Sequence, residues 1–367
     1  MGKFNLAPRA VLVTVEFDST CTDEHQRELV LLCQSAGAVV HQSLVVKRKQ
    51  AVASLFIGTG KVDELAQLCQ LHQIDLVVFN HDLTPVQQRN LEQKLNCRVL
   101  DRTGLILDIF ALRAQSFEGK LQIELVQLEY LKSRLVHRHE GLSGQQGGIG
   151  MRGPGETQLE TDRRLIANRI IQLKARLQKV HSQRLSQTKQ RRRSGVFTVA
   201  MVGYTNAGKS TLFNVLSNSK VYAADQLFAT LDTTSRKVFL EPGVEFVLSD
   251  TVGFIRDLSH GLIEAFKATL DSVIDADLLL HVVDASSEYR QQQIQQVNTV
   301  IHELGASHVS QIIVFNKIDL VDLQPQVKFL DDGQVSSVSV SAKAGLGVIL
   351  LRNLLAQQIV ARRNITR

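Results

Sequence analysis

Short apolar runs alternate with amphipathic stretches over the first 115 residues of the chain. The runs at 10–17, 38–46, 75–79 and 98–100 have the length and composition of strands, and the stretches at 23–35, 62–71 and 85–95 have helical spacing of their apolar residues. Strands that alternate with helices are typical of a largely parallel sheet covered by helices. The pattern predicts an N-terminal α/β domain over residues 1–115.

From residue 118 to residue 139 the apolar period becomes helical. One stripe consists of Leu121, Leu125, Leu128, Leu131 and Leu135, and a second of Leu159, Ile166, Ile170, Leu173, Leu177 and Val180. Heptad-like stripes of this kind pack against each other in pairs. We therefore predict a long antiparallel helical hairpin over residues 116–194.

The segment between the two stripes, residues 141–155, is rich in glycine and poor in apolar side chains. Such a composition cannot form a core, which predicts a mobile loop at the tip of the hairpin. Glycines allow close approach to a flat or narrow surface, and Arg152 adds charge there. We favour a contact loop, and a flexible linker is the alternative.

Strand-like runs return after Ser194. They lie at 196–202, 237–240, 244–249, 278–283, 311–315 and 335–340, with helical stretches at 210–217 and 345–362. The second and third runs flank Glu241-Pro242-Gly243, which predicts a hairpin. A second α/β domain is expected over residues 195–367.

Composition agrees with packed domains. The chain has 367 residues, 44% of them hydrophobic, which is enough for two or three cores. Its N-terminus lacks the apolar region of a signal peptide, and no apolar run approaches the ~18 residues of a membrane span. Four cysteines lie in the first third without metal-binding spacing. We expect a cytoplasmic protein with no membrane span.

Charge is distributed unevenly. Residues 161–195 contain eleven Lys and Arg side chains and one acid, Asp162, so this segment carries about +10 and the rest of the chain about −4. A run of charge is most often a solvated face. A basic helix that ends in a glycine-rich tip more specifically indicates contact with nucleic-acid phosphates.

The most specific motif is G-x-x-x-x-G-K-S at residues 203–210, between a predicted strand and a predicted helix. Its glycines allow backbone N–H groups to surround a phosphate, and the helix N-terminus adds its dipole. Lys209 would reach the β- and γ-phosphates, and Ser210 would bind Mg²⁺. The nucleotide-binding residues of this loop are Gly203, Tyr204, Thr205, Asn206, Ala207, Gly208, Lys209, Ser210 and Thr211.

Three later motifs each follow a predicted strand. Asp250-Thr251-Val252-Gly253 would hold the Mg²⁺ shell with Asp250 and contact the γ-phosphate with the Gly253 N–H. Asn316-Lys317-Ile318-Asp319 would recognise guanine: Asp319 accepts from N1–H and the 2-amino group, Asn316 contacts the other edge, and Lys317 covers the face. Ser341-Ala342-Lys343 would offer a backbone N–H to the guanine carbonyl. Together they predict a site for GTP, GDP and Mg²⁺.

Residues 227–234 should form the first switch loop, which needs a threonine hydroxyl on Mg²⁺ when the γ-phosphate is present. Phe228, Ala229 and Thr230 are assigned to the site, with Thr230 as the metal ligand; Thr233 and Thr234 are alternatives. Lys209, Thr230 and Gly253 are the predicted catalytic residues. Phe254 stands where many related GTPases have a glutamine that orients water, so we expect slow intrinsic turnover.

A weaker signal is Gly58-Thr59-Gly60-Lys61, which is similar to a fragment of a phosphate-binding loop. The first glycine of the full pattern is absent and Val62 replaces Ser or Thr. A strand-to-helix turn is the simpler interpretation, and a second nucleotide site is the alternative.

These motifs resemble those of the HflX GTPases. The similar segments are residues 101–110, 147–164, 202–214, 222–232 and 250–256, spread over nearly the whole chain. The resemblance implies a P-loop GTPase (Ras-like) domain after the N-terminal α/β domain and helical hairpin. It also implies a GTP hydrolase that binds the large ribosomal subunit and its rRNA through the basic arm and splits stalled ribosomes. Separately, we expect a monomer.

Two departures from the family pattern bear on these expectations. The family usually has proline where this chain has Thr233, which leaves the switch loop less rigid. Many members carry a further small domain, whereas this sequence stops at Arg367. A nucleotide-gated ribosome assembly or hibernation factor is the alternative function, and a GTPase acting on a protein or membrane partner is a third.

Overall fold

The computed structural model describes residues 7–17, 22–135, 154–193, 195–219, 226–241, 244–256, 270–331 and 333–365. Within this part of the chain, contacts define two compact units. The first comprises residues 1–112 and 120–177, and the second comprises residues 113–119 and 178–367. The predicted division at residues 115 and 194 stays a prediction.

The first unit contains a four-stranded parallel sheet of order β2-β1-β3-β4. Its strands are β1 (Arg9–Glu16), β2 (Val39–Lys47), β3 (Leu76–Phe79) and β4 (Arg98–Leu100), and its helices are α1 (Thr22–Ser35), α2 (Thr59–His72), α3 (Pro85–Leu95) and α4 (Arg102–Arg113). Apolar side chains of β1, β3, α2 and α3 form one core. The α/β domain expected from the alternating pattern is present, and α4, which was not predicted, is added to it.

The fragment at residues 58–61 begins α2. Gly58 precedes the helix, and Lys61 forms an exposed ion pair with Glu64 at 2.6 Å. A side chain at Gly58 would collide with the Arg48 guanidinium, since its Cβ would lie 1.7 Å from Nη2. This glycine therefore leaves room for the Arg48 side chain at the start of α2. The strand-to-helix turn stays a prediction, since β2 ends at Lys47.

Two long helices follow, α5 (Phe117–Leu135) and α6 (Pro154–Arg193). Leu121 and Leu125 of α5 pack with Ile170 and Leu173 of α6, so the two predicted stripes do meet. Ion pairs Arg169–Glu124 (2.6 Å) and Lys174–Glu129 (2.8 Å) flank this cluster. The antiparallel sense of the pair stays a prediction.

The glycine-rich tip, predicted over residues 141–155, lies outside the described residues up to residue 153. Its last two positions were predicted wrongly, because Pro154 and Gly155 already belong to α6. Proline is favourable in the first turn of a helix, since its fixed φ is helical and its missing N–H would have no intrahelical partner there.

The second unit contains a seven-stranded sheet of order β10-β11-β9-β8-β5-β7-β6. The strands are β5 (Phe197–Gly203), β6 (Thr234–Glu241), β7 (Val244–Asp250), β8 (Leu278–Asp284), β9 (Ser310–Asn316), β10 (Gln326–Phe329) and β11 (Val335–Ser339). The five central strands run parallel, and the edge strands β6 and β10 pair antiparallel. The predicted β6–β7 hairpin is confirmed.

Helices α7 (Lys209–Ser217), α8 (Arg290–Glu303) and α9 (Val348–Ile365) accompany this sheet. Side chains of α7 and α9 pack with β5, β7, β8 and β9 in one large core. The carboxyl ends of neighbouring parallel strands meet at one edge, which is where ligands bind in open α/β sheets. No helix in the described ranges is both long enough and apolar enough to cross a membrane.

Candidate functional site

The loop between β5 and α7 is built on two glycines whose surroundings exclude a side chain. A Cβ at Gly203, where φ is +150°, would lie 2.2 Å from the carbonyl oxygen of Val282 on β8. A Cβ at Gly208, where φ is +88°, would lie 2.2 Å from Nδ2 of Asn316. The loop can therefore approach both neighbouring elements only because these positions lack side chains.

Lys209 begins α7 and is buried. Its Nζ donates to the carbonyl oxygens of Gly203 (3.0 Å) and Tyr204 (2.8 Å), which fold the loop around the ammonium group. Burial lowers the pKa of Lys209 to about 8, and the nearby charge of Asp250 counteracts part of this shift. A phosphate placed in the loop would favour the charged form of the lysine.

Three oxygen-bearing side chains converge beside Lys209. The hydroxyls of Ser210 and Thr230 lie 2.7 Å apart, and each donates to Oδ2 of Asp250, at 2.8 and 3.0 Å. Asp250 is fully buried, and burial raises its pKa, while Lys209 and the two hydroxyls lower it. Carboxylate and hydroxyl oxygens are the ligands that Mg²⁺ prefers, so the donor set fits the predicted metal.

The chain after β7 is fixed to the phosphate-binding loop by backbone hydrogen bonds. The N–H of Thr205 donates to Phe254 at 2.7 Å, and the N–H of Phe254 donates to Gly203 at 3.1 Å. Phe254 itself is 1% exposed. A Cβ at Gly253 would lie 2.8 Å from Cγ2 of Thr205 and 3.1 Å from Nζ of Lys209, so the backbone of Gly253 lies close to the loop.

Asn316 connects two loops of the site. Its Nδ2 donates to the carbonyl of Ala207, and its Oδ1 accepts from the N–H of Ala342, both at 2.9 Å. The phosphate-binding loop and the loop after β11 are thereby joined through one buried amide. The predicted contact of Asn316 with the base stays a prediction, because both ends of its side chain are engaged with protein here.

The base-recognition side chains are also held in place. Ser341 donates to Oδ1 of Asp319 at 2.5 Å, and Lys317 forms an ion pair with Asp284 at 2.8 Å. Asp284 ends β8, and it accepts two further hydrogen bonds from Ser286. Neighbouring strand ends thus orient both the carboxylate and the ammonium group of the N-K-x-D motif.

A cavity of about 400 Å³ lies among these groups, within the second unit. Most of the predicted site residues line it: Thr205, Asn206, Gly208, Lys209, Ser210, Thr211, Phe228, Ala229, Thr230, Thr251, Gly253, Asn316, Lys317, Asp319, Ala342 and Lys343. The other predicted site residues do not line the cavity: Gly203, Tyr204, Ala207, Asp250, Val252 and Ser341. Gln226 and Leu320 also line the cavity. Neither was assigned to the site from the sequence, although Gln226 lies in the similar segment 222–232.

Three family models match consecutive parts of the chain. Residues 23–111 match the N-terminal region of a GTP-binding GTPase, residues 113–191 match the middle region of the same kind of protein, and residues 198–317 match a 50S ribosome-binding GTPase. These matches together span most of the chain.

Curated relatives agree with these models. The chain is 47% identical to the GTPase HflX of Escherichia coli over 358 residues, which cover 97% of this chain and 84% of that protein. It is 48% identical to the GTPase HflX of Magnetococcus marinus over 344 residues, which cover 93% and 79%.

Solved structures support the fold. The GDP complex of SsGBP aligns over 96% of this chain and 99% of that chain with a TM-score of 0.55, and the GDP complex of a GTP-binding protein from Sulfolobus solfataricus aligns over the same shares with a TM-score of 0.51. Both are 22% identical in sequence. With the sequence matches and the geometry of the cavity, these findings show that the chain belongs to the HflX family of GTPases.

Proposed function

We propose that the chain binds the large ribosomal subunit through its basic helical arm and uses GTP binding and hydrolysis to remodel or split stalled ribosomes. GTP hydrolysis itself follows from membership of the family. The observation that carries the proposal is the combination, in one chain, of a guanine-nucleotide cavity with a long helix that carries several exposed basic side chains. The match to a 50S ribosome-binding GTPase supports it.

The site residues suggest how hydrolysis is assisted. Lys209 and the N–H groups of its loop would stabilise charge on the β- and γ-phosphates, and the N–H of Gly253 would bind the γ-phosphate. Ser210, Thr230 and Asp250 would hold Mg²⁺, which when bound neutralises charge on the phosphate oxygens. Guanine would be selected by Asp319, because a base without the matching donors would leave that carboxylate unpaired.

Phe254 limits what the site can do alone. Its phenyl ring cannot orient a water molecule, and its backbone is hydrogen-bonded on both sides to the phosphate-binding loop. A water-orienting group would then have to come from a partner or from a rearrangement. We therefore propose that turnover is slow until the ribosome is bound.

The arm offers a surface for RNA phosphates. On α6 the side chains of Arg164, Arg176 and Lys179 are exposed, and they lie along one helix of 40 residues. Each phosphate that such a side chain neutralises releases counterions, so binding should weaken as the salt concentration rises. Contact with rRNA through this helix is part of the proposal.

The test measures GTP hydrolysis by the purified chain with and without purified 50S subunits at fixed salt. We expect strong stimulation, and none with Lys209→Ala, which serves as the inactive variant.

A triple variant, Arg164→Glu, Arg176→Glu and Lys179→Glu, should lose co-sedimentation with 50S subunits and show a shallower salt dependence. A matched control makes the same change in net charge at exposed lysines outside the arm: Lys49→Glu, Lys61→Glu and Lys94→Glu.

If the arm variant and its control bind equally well, the proposed RNA contact is wrong. If 50S subunits bind but do not stimulate turnover, the second candidate is favoured, namely nucleotide-gated binding in which hydrolysis is incidental. Phe254 is the observation that favours this alternative. It predicts that a non-hydrolysable GTP analogue supports every ribosome effect that GTP supports, including subunit splitting, whereas the leading proposal requires hydrolysis for recycling.

A further inference from the structure

The segment between α4 and α5 has an unexpected place in the molecule. Residues 113–119 belong to the same compact unit as the GTPase fold, although they lie about 80 residues before it in sequence. In that unit they contact the chain at two points on either side of Thr230: Gln226, just before the predicted switch loop, and Asp232 within it. Arg113 donates to the side chain of Gln226, and Asp232 accepts hydrogen bonds from Gln115 and Ser116.

The contact at Asp232 uses both carboxylate oxygens. Oδ2 accepts from the backbone N–H groups of Gln115 (2.9 Å) and Ser116 (2.7 Å), and Oδ1 accepts from the Ser116 hydroxyl (2.5 Å). Ser116 Oγ in turn accepts from the N–H of Gly119 at 2.8 Å, as a side chain that caps a helix N-terminus does. A negative charge is also favourable at this end of a helix. Asp232 and Ser116 thus form a clamp at the start of α5.

Gly119 shows that the clamp depends on a close approach. A Cβ at this position would lie 2.3 Å from Oδ1 of Asp232 and 3.0 Å from Oγ of Ser116. Glycine in the first turn of a helix is otherwise unfavourable relative to alanine. Here its missing side chain is what allows the carboxylate to reach the helix end.

The clamp lies next to the metal-binding oxygens. Two residues before Asp232, the hydroxyl of Thr230 is 2.7 Å from Ser210 Oγ and donates to Asp250 at 3.0 Å. Leu231 between them is 2% exposed, so it is anchored in the core. Fixing Asp232 therefore restricts where the Thr230 hydroxyl can lie.

We propose that Ser116 is a positioning residue for GTP: by holding Asp232 it keeps Thr230 at the Mg²⁺ and γ-phosphate position. The inference rests on the proposed role of Thr230 as a metal ligand in the GTP-bound state. GDP lacks the phosphate that this threonine serves, so the clamp favours GTP over GDP. By linkage, GTP binding must in return stabilise the first turn of α5.

The test measures, with saturating Mg²⁺, the affinities for GDP and for a non-hydrolysable GTP analogue. Ser116→Ala and Asp232→Ala should each weaken analogue binding about tenfold and change GDP affinity less than twofold. Loss of the helix cap lowers the melting temperature somewhat, so the check on folding is a cooperative unfolding transition that begins well above the assay temperature. The double variant should be no weaker than Asp232→Ala alone, because both changes break one interaction. Lys120→Ala, an exposed position in the same turn, is the control and should leave both affinities unchanged.

A second readout follows hydrogen exchange of the backbone amides of residues 115–119. Their exchange should slow when the analogue replaces GDP in the wild-type protein, and this difference should vanish in Asp232→Asn. Asparagine keeps the size of the side chain, so this variant can be used even if Asp232→Ala fails to fold. Equal losses for GDP and analogue, additive effects in the double variant, or nucleotide-independent exchange would each overturn the inference. Thr230→Ala distinguishes failure of the proposed metal-ligand role of Thr230 from failure of the clamp. If Thr230→Ala leaves analogue affinity unchanged, the role of Thr230 is wrong. If Thr230→Ala weakens analogue binding and Ser116→Ala does not, only the clamp is wrong.

Discussion

The hydroxyl of Ser341 donates a 2.5 Å hydrogen bond to the carboxylate of Asp319 and accepts another from the N–H of Ala344 at 3.0 Å. Ser341 is fully buried, so the loop after β11 fixes the orientation of a side chain that follows β9. A carboxylate held in this way presents two acceptor oxygens at a defined angle. This geometry is what the recognition of adjacent N–H and NH₂ groups requires.

Replacing Asp319 with asparagine should change the preferred base. An amide offers one acceptor and one donor, which match the N1–H and 2-carbonyl of xanthine instead of the two donors of guanine. We expect GDP affinity to fall roughly a hundredfold or more and XDP affinity to rise. Titration with fluorescent GDP and XDP measures both, with the exposed Asp322→Asn as the control. Unchanged GDP affinity in Asp319→Asn would contradict base recognition by this carboxylate.

Two glycines near the two ends of β5, Gly195 before it and Gly203 at its last position, should differ in their tolerance of a methyl group. Gly203→Ala places Cβ 2.2 Å from a backbone oxygen of β8, and backbone atoms cannot rotate away. We expect a loss of about 3 kcal/mol or more in the free energy of unfolding. Gly195→Ala also has positive φ but nothing within 4 Å, so it should cost only about 1 kcal/mol. Denaturant titration of both variants measures the difference, and equal losses would contradict the packing argument.

His281 on β8 should make the protein sensitive to acid. The side chain is 1% exposed and lies 2.6 Å from Gln311; burial, followed by the charge of Lys209, lowers its pKa to about 4. The unfolded chain would bind a proton near pH 6.5, so between pH 6.5 and 4 the unfolded state holds more protons and stability falls as pH falls. The loss amounts to about 2 kcal/mol between pH 7 and pH 5. The free energy of unfolding of His281→Leu should depend less on pH over this range. An unchanged dependence on pH would show that His281 does not cause the acid sensitivity.

Leu173 should be the key apolar contact of α6 with α5. It is fully buried in the cluster with Leu121 and Leu125, whereas its neighbour Ile171 is 66% exposed. Leu173→Ala should cost about 3 kcal/mol through lost burial and the cavity left behind. Ile171→Ala should cost less than about 0.5 kcal/mol. Faster hydrogen exchange in α5 for the first variant, and not for the second, is the expected result.

The nucleotide site was predictable because its backbone geometry permits few residue types. Positive φ and close contacts require glycine at positions 203 and 208. A strand before the motif and a helix after it make a chance match to the phosphate-loop pattern rare. Most strands of both sheets were predicted within a few residues because their apolar periods are regular. The edge strand β10 and the helix α8 were not predicted.

Two further features were not predicted, and each has a physical reason. Helix α4 buries residues on all its sides, including Leu105, Ile106, Leu107 and Ile109, so its sequence has no helical period. The hydrogen bonds between Ser116 and Asp232 join residues 116 positions apart, and nothing local in either segment signals the partner. Such contacts are visible only once the fold is known.

The chain passes between its two compact units three times, at residues 112/113, 119/120 and 177/178. A single break in the polypeptide therefore cannot separate them into two complete parts. A gene fragment that begins at the phosphate-binding strand would encode a GTPase without residues 113–119, which belong to its own unit. Such a fragment would therefore lack the residues that contact Gln226 and Asp232.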